Sequence, residues 1–378
     1  IPILGNFGAA NPLAAARAIA RLAKRLGLPE LRIGLVTGDD VSASINLDSL
    51  AVHEADTGLD MSSWKLVSAN AYIGAAPLAE ALAAGAQLVV AGRTSDPALA
   101  IAPLMHHFGW AEDDWQALAV GAATGHLLEC GSQVTGGVFW DPGFKDIPDP
   151  ANIGFPIAEV GRDLSLLITK PEDTGGIVDM RTIKEQLLYE VHDPACYITP
   201  DVTLDITGAH LSNHGRDRVA VHGLRGARRP DLLKVTACYE GSWLGEGEIS
   251  VAGPNALARA KATADVLLER VKRRGLARRA RADLIGVASV HDSDDGALWR
   301  NYDGPAPQDI RIRLAVEATT RDDADQASRE ALALLCCGTA GTSGARWRVT
   351  PRILTRSFLV PRDQVPTETR VLPAREWN

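Results

Sequence analysis

One predicted helix carries the side chains best suited to acid–base chemistry. Its buried apolar stripe begins at Trp115, and His126 and Glu129 continue that stripe at helical spacing. A histidine and a carboxylate three positions apart on one helix face can act as general acid and base. Hydrogen bonding to neighbouring backbone at the helix end is the non-catalytic alternative, and Cys130 with His126 could form half of a metal site. No HExxH motif, CxxC pair or histidine triplet supports a metal, so we predict neither metal nor cofactor.

Further polar residues follow the predicted strands. Asp39 and Asp40 come directly after the apolar run 31–37, and Arg93 comes after the run 87–91. In parallel sheets, sites lie at the carboxyl ends of the strands. Either aspartate could act as a base or cap the next segment, and Arg93 could grip a carboxylate or phosphate or pair with Asp96. The predicted rim consists of Asn6, Asp39, Asp40, Asn70, Arg93 and Asp96.

A loop farther along the chain has the composition of an anion site. Lys170 is followed by Thr174, Gly175 and Gly176, whose amides could hold an anion together with the lysine ammonium. The segment matches neither a P-loop nor a dinucleotide-binding fingerprint. We therefore predict Lys170, Thr174 and Gly175 as substrate-binding residues on this pattern alone.

The elements that must position these residues alternate between strand and helix up to about residue 130. This pattern predicts an α/β fold, a layered and mostly parallel sheet with flanking helices, in which Asn11 caps the first helix and Pro12 lies in its first turn. Glycine- and proline-rich turns follow, and after residue 230 the order βαββαβ predicts a smaller ferredoxin-like α+β domain. We therefore predict an α/β domain with the active site over residues 1–230 and a ferredoxin-like domain over residues 231–378.

Composition limits the classes of partner. The 378 residues exceed what a single core of roughly 250–300 residues accommodates, which favours two domains. A net charge of −8 argues against nucleic acid or an anionic membrane as partner. Five cysteines without regular spacing, no apolar run of membrane-spanning length and no leader predict a cytoplasmic protein. The expected partners are a small-molecule substrate and further copies of the chain, which would form a homo-oligomer.

Several sequence blocks, taken together, resemble the acyclic terpene utilisation family AtuA. They fall in the order in which the family carries them and cover nearly the whole chain. Family members are longer at the N-terminus, and this chain opens at Ile1 inside a βα unit, so we expect a strand and loop of the fold to be absent. The blocks are GNFGAANP (5–12), TGDDV (37–41), GRTSDPALA (92–100), GHLLECG (125–131), QVTGG (133–137), GFPIAEV (154–160), ITKP (168–171), EQLLYE (185–190), HDP (192–194) and GEGE (245–248).

The resemblance implies a role in degrading geraniol- and citronellol-type acids as CoA thioesters, but neither a reaction nor catalytic residues. We expect an enzyme that acts on a branched or terpenoid acyl-CoA, or the related acid, by hydration, dehydration or lyase cleavage. Asp40 or Glu129 would be the base, His126 its acid partner, and Arg93 with Lys170 would hold carboxylate or phosphate. The alternative is a non-catalytic acyl-CoA-binding or assembly subunit of a carboxylase, in which the alternating strand 310–316 packs against another chain.

Overall fold

The computed structural model describes residues 1–8, 11–45 and 65–377, which form a mixed α/β protein with several sheets. These residues divide into two compact units. The first unit comprises residues 1–8, 11–45, 68–237 and 356–377, and the second comprises residues 65–67 and 238–355. In the described part of the chain, no helix combines the length and apolar character needed to cross a bilayer.

The first unit is built on a small sheet whose strands are mostly parallel. In the described residues its strand order is β1-β4-β2-β16, in which β1 and β2 both run parallel to β4 and β16 runs antiparallel to β2. The elements of the N-terminal half are β1 (Ile3–Gly5), α1 (Pro12–Arg25), β2 (Arg32–Thr37), β3 (Leu66–Ala71), α2 (Ala76–Ala83), β4 (Leu88–Ala91), α3 (Ala98–Phe108) and α4 (Trp115–Glu129), and β16 (Glu368–Pro373) lies near the C-terminus.

Local sequence signals determine where the first helix begins, as predicted. The Asn11 side chain accepts a hydrogen bond from the Ala14 amide at 2.9 Å, which satisfies one of the free amides at the start of α1. Pro12 occupies the first turn, and Gly27 follows the helix with a φ of +73°. The predicted N-cap is confirmed. Alanines on the inner face of α1 then pack against β2 and β4.

Two strands differ from the sequence expectation. The strand after residue 64 is expected in the parallel sheet, but β3 pairs with β12 (Leu232–Ala252) instead. The boundary at residue 230 assigns the C-terminus to the second domain, whereas β16 lies in the first unit, with Val371 opposite Gly34. The reason is packing, because Trp377, four residues after β16, is buried against α1 in the same hydrophobic core.

The rest of the first unit contains short antiparallel strands around α4, in the region where covering loops and short strands are expected. In the described residues they form one sheet in the order β5-β6-β10-β9 and another in the order β11-β8-β7. The elements are β5 (Ile157–Val160), β6 (Leu166–Thr169), α5 (Met180–Leu188), β7 (Tyr197–Ile198), β8 (Thr203–Asp205), β9 (His210–Asn213), β10 (Val219–His222) and β11 (Arg225–Ala227).

The second unit has an antiparallel sheet with helices on one face. Its strand order is β13-β14-β12-β15, and β14 presents Ile310, Ile312 and Leu314 to a core that it shares with α6. The alternation predicted for this strand is confirmed, while the ferredoxin-like arrangement stays a prediction. The elements are α6 (Ala256–Arg274), β13 (Arg279–Ile285), α7 (Ala297–Arg300), β14 (Asp309–Ala318), α8 (Arg321–Ser328), α9 (Glu330–Cys337) and β15 (Thr342–Pro361).

Candidate functional site

The structure brings His126 and Glu129 into direct contact at the end of α4. His126 Nδ1 lies 3.0 Å from Glu129 Oε1. The His126 side chain is 3% exposed and that of Glu129 is 16% exposed, so the carboxylate is the member of the pair that solvent can reach. The contact follows from the three-residue spacing on one helix face.

The buried position of His126 determines which ring nitrogen carries the proton. Nε2 is buried and has no hydrogen-bond partner among the described residues. A proton on Nε2 would leave an unsatisfied donor and would set two lone pairs against each other at Glu129. The imidazole is therefore protonated at Nδ1 and donates to Glu129 Oε1. This bond fixes one carboxylate oxygen and orients the other.

Glu129 lines a cavity of about 950 Å³, which we call the glutamate cavity. Helices α3 and α4 form much of its wall. They approach closely at Gly125, where a methyl group would lie only 2.5 Å from Pro97 Cα. A volume in this range suits a substrate of drug size. The wall combines apolar and acidic side chains: Leu99, Leu104, Phe108, Leu128 and Val160 on one hand, and Asp96, Glu129 and Glu190 on the other.

The acidic groups of the glutamate cavity act on their protonatable neighbours. The pKa of the Cys130 thiol is raised above its ordinary value, mainly by burial and further by the charges of Glu129, Glu190 and Asp96, against a hydrogen bond with Gln186. A raised pKa keeps Cys130 as a thiol at neutral pH, which argues against a nucleophilic thiolate. Burial of Tyr197 raises the pKa of its hydroxyl, and the charges of the same carboxylates raise it further. The cavity therefore has a negative potential.

Asp39, Asn70 and Arg93 of the predicted rim are in contact. Asp39 is 2% exposed, and its Oδ2 accepts hydrogen bonds from Asn70 Nδ2 at 2.9 Å and from the Arg93 amide at 2.7 Å. The carboxylate thus ties β3 to the loops that follow β2 and β4. Asn6 and Asp96 instead line the glutamate cavity. Asp39 therefore has a structural role, because its two hydrogen bonds hold Asn70 and the Arg93 backbone in place.

Asp40 is exposed, forms an isolated β-bridge with Asn70 and precedes a turn. Its Oδ1 accepts from both the amide and the hydroxyl of Ser42, at 3.0 and 2.6 Å. This is the capping role weighed against general-base catalysis in the sequence. The glutamate cavity is not lined by Asp40, so the geometry gives Glu129 the stronger claim to act as base.

Arg93 packs on an aromatic ring. Its guanidinium carbon lies 4.3 Å from the centroid of the Tyr72 ring, a cation–π arrangement. The alternative considered from the sequence, an ion pair with Asp96, does not form between these two described residues. The guanidinium edge keeps donors for an anionic group.

The predicted anion loop uses its donors internally. Lys170 is 5% exposed, and its Nζ donates to the Thr174 carbonyl at 2.7 Å and lies 3.5 Å from Asp217 Oδ2. The Gly175 amide donates to the Asn152 carbonyl, and the Thr174 hydroxyl donates to the Pro171 carbonyl. These contacts stabilise the loop and use donors of Lys170, Thr174 and Gly175, while the anion-binding role stays a prediction.

Some residues at the site carry no sequence signal that singles them out. Glu190 follows α5 with a φ of +58° and reaches the glutamate cavity, and the His126 ring lies 5.1 Å from the Tyr197 ring. Glu190 lies within the EQLLYE block and Tyr197 shortly after HDP, so only those blocks point to the region. In the described part of the chain, no three His, Cys, Asp or Glu side chains are placed to hold a metal ion.

Asp201 is a buried carboxyl that the sequence does not reveal. It is 5% exposed, and its Oδ1 accepts from the Ala75 amide at 2.8 Å. Burial raises its pKa from 3.8 to about 6, although the Ala75 bond and the charge of Arg362 oppose the shift. The folded protein therefore binds a proton at Asp201 more tightly than the unfolded chain does.

We expect Asp201→Asn to stabilise the protein at high pH only. Below the unfolded pKa of 3.8 the carboxyl is neutral in both states, and the stability linked to this proton is lost as the pH rises through about 6. A shift of this size corresponds to about 3 kcal/mol of unfolding free energy. Urea unfolding should show that gain for the variant at pH 8 and almost none at pH 4. An equal difference at both pH values would contradict the assignment.

Comparison with known proteins adds a family match. A family model described as "acyclic terpene utilisation family protein AtuA" matches residues 1–371. The resemblance predicted from the sequence blocks is confirmed by this match. No curated protein and no solved structure matches the chain.

Proposed function

The chain belongs to the acyclic terpene utilisation family AtuA, and from this premise we propose that it is an enzyme of acyclic terpenoid or branched-chain acyl catabolism. Its substrate is a branched acyl-CoA or the related carboxylic acid. Its chemistry is proton transfer of the hydratase, dehydratase or lyase type, with Glu129 as the general base. The family places the chain in acyclic terpene catabolism, and the reaction is our proposal.

The observation that carries the proposal is the placement of Glu129. One of its oxygens is held by the buried His126 at 3.0 Å, and the carboxylate lines a large cavity that also has an apolar wall. A carboxylate that is oriented in this way and lines the cavity can accept a proton from a substrate bound there.

The chemistry can be written with this one carboxylate. Glu129 takes a proton from the carbon next to the substrate carbonyl, and the electron pair of that C–H bond forms a carbon–carbon double bond as the neighbouring C–O bond breaks. Glu129 returns its proton to the departing hydroxyl, so that water leaves and the carboxylate is regenerated. Hydration is the reverse sequence. His126 does not line the glutamate cavity and acts through Glu129, as a positioning residue rather than as the direct acid partner predicted from the sequence.

The apolar wall supports the substrate class. Leu99, Leu104 and Phe108 from α3 face the cavity together with Leu128 and Val160. Each methylene that such a wall removes from water contributes about 0.8 kcal/mol to binding. A branched hydrocarbon chain would pack against this wall. We propose that this packing places the carbon that loses its proton near Glu129.

The proposal predicts exchange of substrate protons with solvent. The purified protein is incubated in deuterated water with geraniol- and citronellol-type acids and with their CoA thioesters, and products are examined by mass spectrometry. We expect a branched thioester or acid to gain deuterium or the mass of heavy water. Thermal shifts of the same compounds show which of them bind. A compound that binds without exchange, hydration or cleavage would overturn the catalytic proposal in favour of a non-catalytic acyl-binding subunit.

A further inference from the structure

A second cavity, of about 690 Å³, lies in the first unit and is not used by the proposed chemistry. We call it the lysine cavity, after Lys234 in its lining. Its wall is largely apolar, with Ile198, Pro200, Leu233 and Leu359 among its members. Asp96 lines both this cavity and the glutamate cavity. The volume again suits a small organic ligand.

Two positive charges lie beside one aromatic ring of the lysine cavity. Lys234 Nζ is 5.4 Å and the Arg93 guanidinium carbon is 4.3 Å from the centroid of the Tyr72 ring. No described carboxylate forms an ion pair with either cation, while Asp231, in the same lining, is paired with Arg228 at 2.7 Å. The positive charge near Tyr72 is therefore left without a described counter-ion.

Ser95 adds an unsatisfied hydroxyl. It is 7% exposed and lines the lysine cavity, and its Oγ has no hydrogen-bond partner among the described residues. Its amide donates to the Ile73 carbonyl at 3.0 Å, so the backbone at this point is fixed. A buried hydroxyl without a partner is unfavourable, and a ligand oxygen would relieve that cost.

We propose that the lysine cavity is a binding site for a carboxylate-bearing ligand with an apolar body. Lys234 and the Ser95 hydroxyl hold the carboxylate, Arg93 adds positive potential, and the apolar body lies against the leucine and proline wall. A single ammonium and a hydroxyl suit a monoanion. Among the described acidic residues of the lining, Asp231 is paired with Arg228, and the positive charges of Lys234 and Arg93 exceed the single negative charge of Asp96. The site does not depend on proton transfer by Glu129.

Calorimetry with decanoate and decan-1-ol, two ten-carbon probes, tests the site. At low ionic strength we expect decanoate to bind at least about tenfold more tightly than decanol, because charge-assisted hydrogen bonds add to the shared apolar contact. Lys234→Met should lower the decanoate affinity about tenfold or more and leave decanol unchanged. Ser95→Ala should lower the decanoate affinity several-fold. The matched control is Lys184→Met, which removes an exposed lysine from α5.

Further variants separate this site from the proposed active site. Leu104→Trp places a larger ring in the glutamate cavity, and Glu129→Gln removes the proposed base, so both should bind decanoate as the wild-type protein does. Loss of decanoate binding in Leu104→Trp, or equal affinities in Lys234→Met and Lys184→Met, would overturn the proposal. Binding of decanol as tight as that of decanoate would do the same. Circular dichroism melts confirm that each variant is folded.

Discussion

Replacing Glu129 with glutamine is expected to lower the rate of substrate deuterium exchange by about 10²–10⁴-fold, the typical contribution of a general base. Glutamine keeps the size of the side chain, and its amide oxygen can still accept the hydrogen bond from His126 Nδ1. It cannot accept a proton from carbon at neutral pH. Exchange is followed by mass spectrometry, and unchanged melting temperature and substrate binding would show that only the chemical step is lost.

Glu190→Gln is the matched control for this prediction. Glu190 lines the same cavity and contributes to the same negative potential, but it has no contact with His126 in the described structure. We expect its exchange rate to stay within about tenfold of the wild-type rate, since a neighbouring charge changes the potential but not the identity of the base. Full activity in Glu129→Gln, or equal losses in the two variants, would remove Glu129 from the mechanism.

The positioning role of His126 has its own signature. His126→Asn keeps a side-chain N–H donor, whereas His126→Leu removes it, so Asn should retain more of the exchange rate than Leu. Equal exchange rates in the two variants would indicate that His126 only fills space.

The sequence predicts those features that neighbouring residues determine. The Asn11 cap joins two residues that are three positions apart in one chain segment. The His126–Glu129 contact depends on helical spacing. One part of the rim is also predictable, because parallel strands carry their loops to one edge of a sheet, and Asp39 does meet Arg93 there. These predictions need only local geometry and the direction of the strands.

Features that depend on distant partners are not predictable in this way. Lys170 looks available in the sequence, yet its ammonium is used by Thr174 and Asp217, the latter almost fifty positions away. Asp201 has an ordinary sequence context, and burial is the main cause of its raised pKa. β16 returns to the first unit because the apolar residues after it complete the core of α1. In each case tertiary contacts decide the role of the residue.

Gly92→Ala is expected to destabilise the protein strongly, because the position has no room for a side chain. A methyl group on Gly92 would lie 1.9 Å from Asp39 Oδ1 and 2.3 Å from its Cγ. Asp39 cannot move aside without breaking its hydrogen bonds to the Arg93 amide and to Asn70 Nδ2. Hydrogen bonds to a charged group contribute roughly 1.5–3 kcal/mol each, so we expect a loss of about 4 kcal/mol of unfolding free energy by urea denaturation.

Two comparisons show whether this loss comes from Asp39. Gly109→Ala introduces a methyl group at a φ of +74° with nothing nearby, so it should cost only about 1–2 kcal/mol of backbone strain. Asp39→Ala should itself cost about 4 kcal/mol by removing the acceptor of both hydrogen bonds. The double variant Gly92→Ala/Asp39→Ala should then lose little more than Asp39→Ala alone, since the methyl group no longer meets a carboxylate. Additive losses in the double variant would mean that Gly92 matters for a reason other than the Asp39 carboxylate.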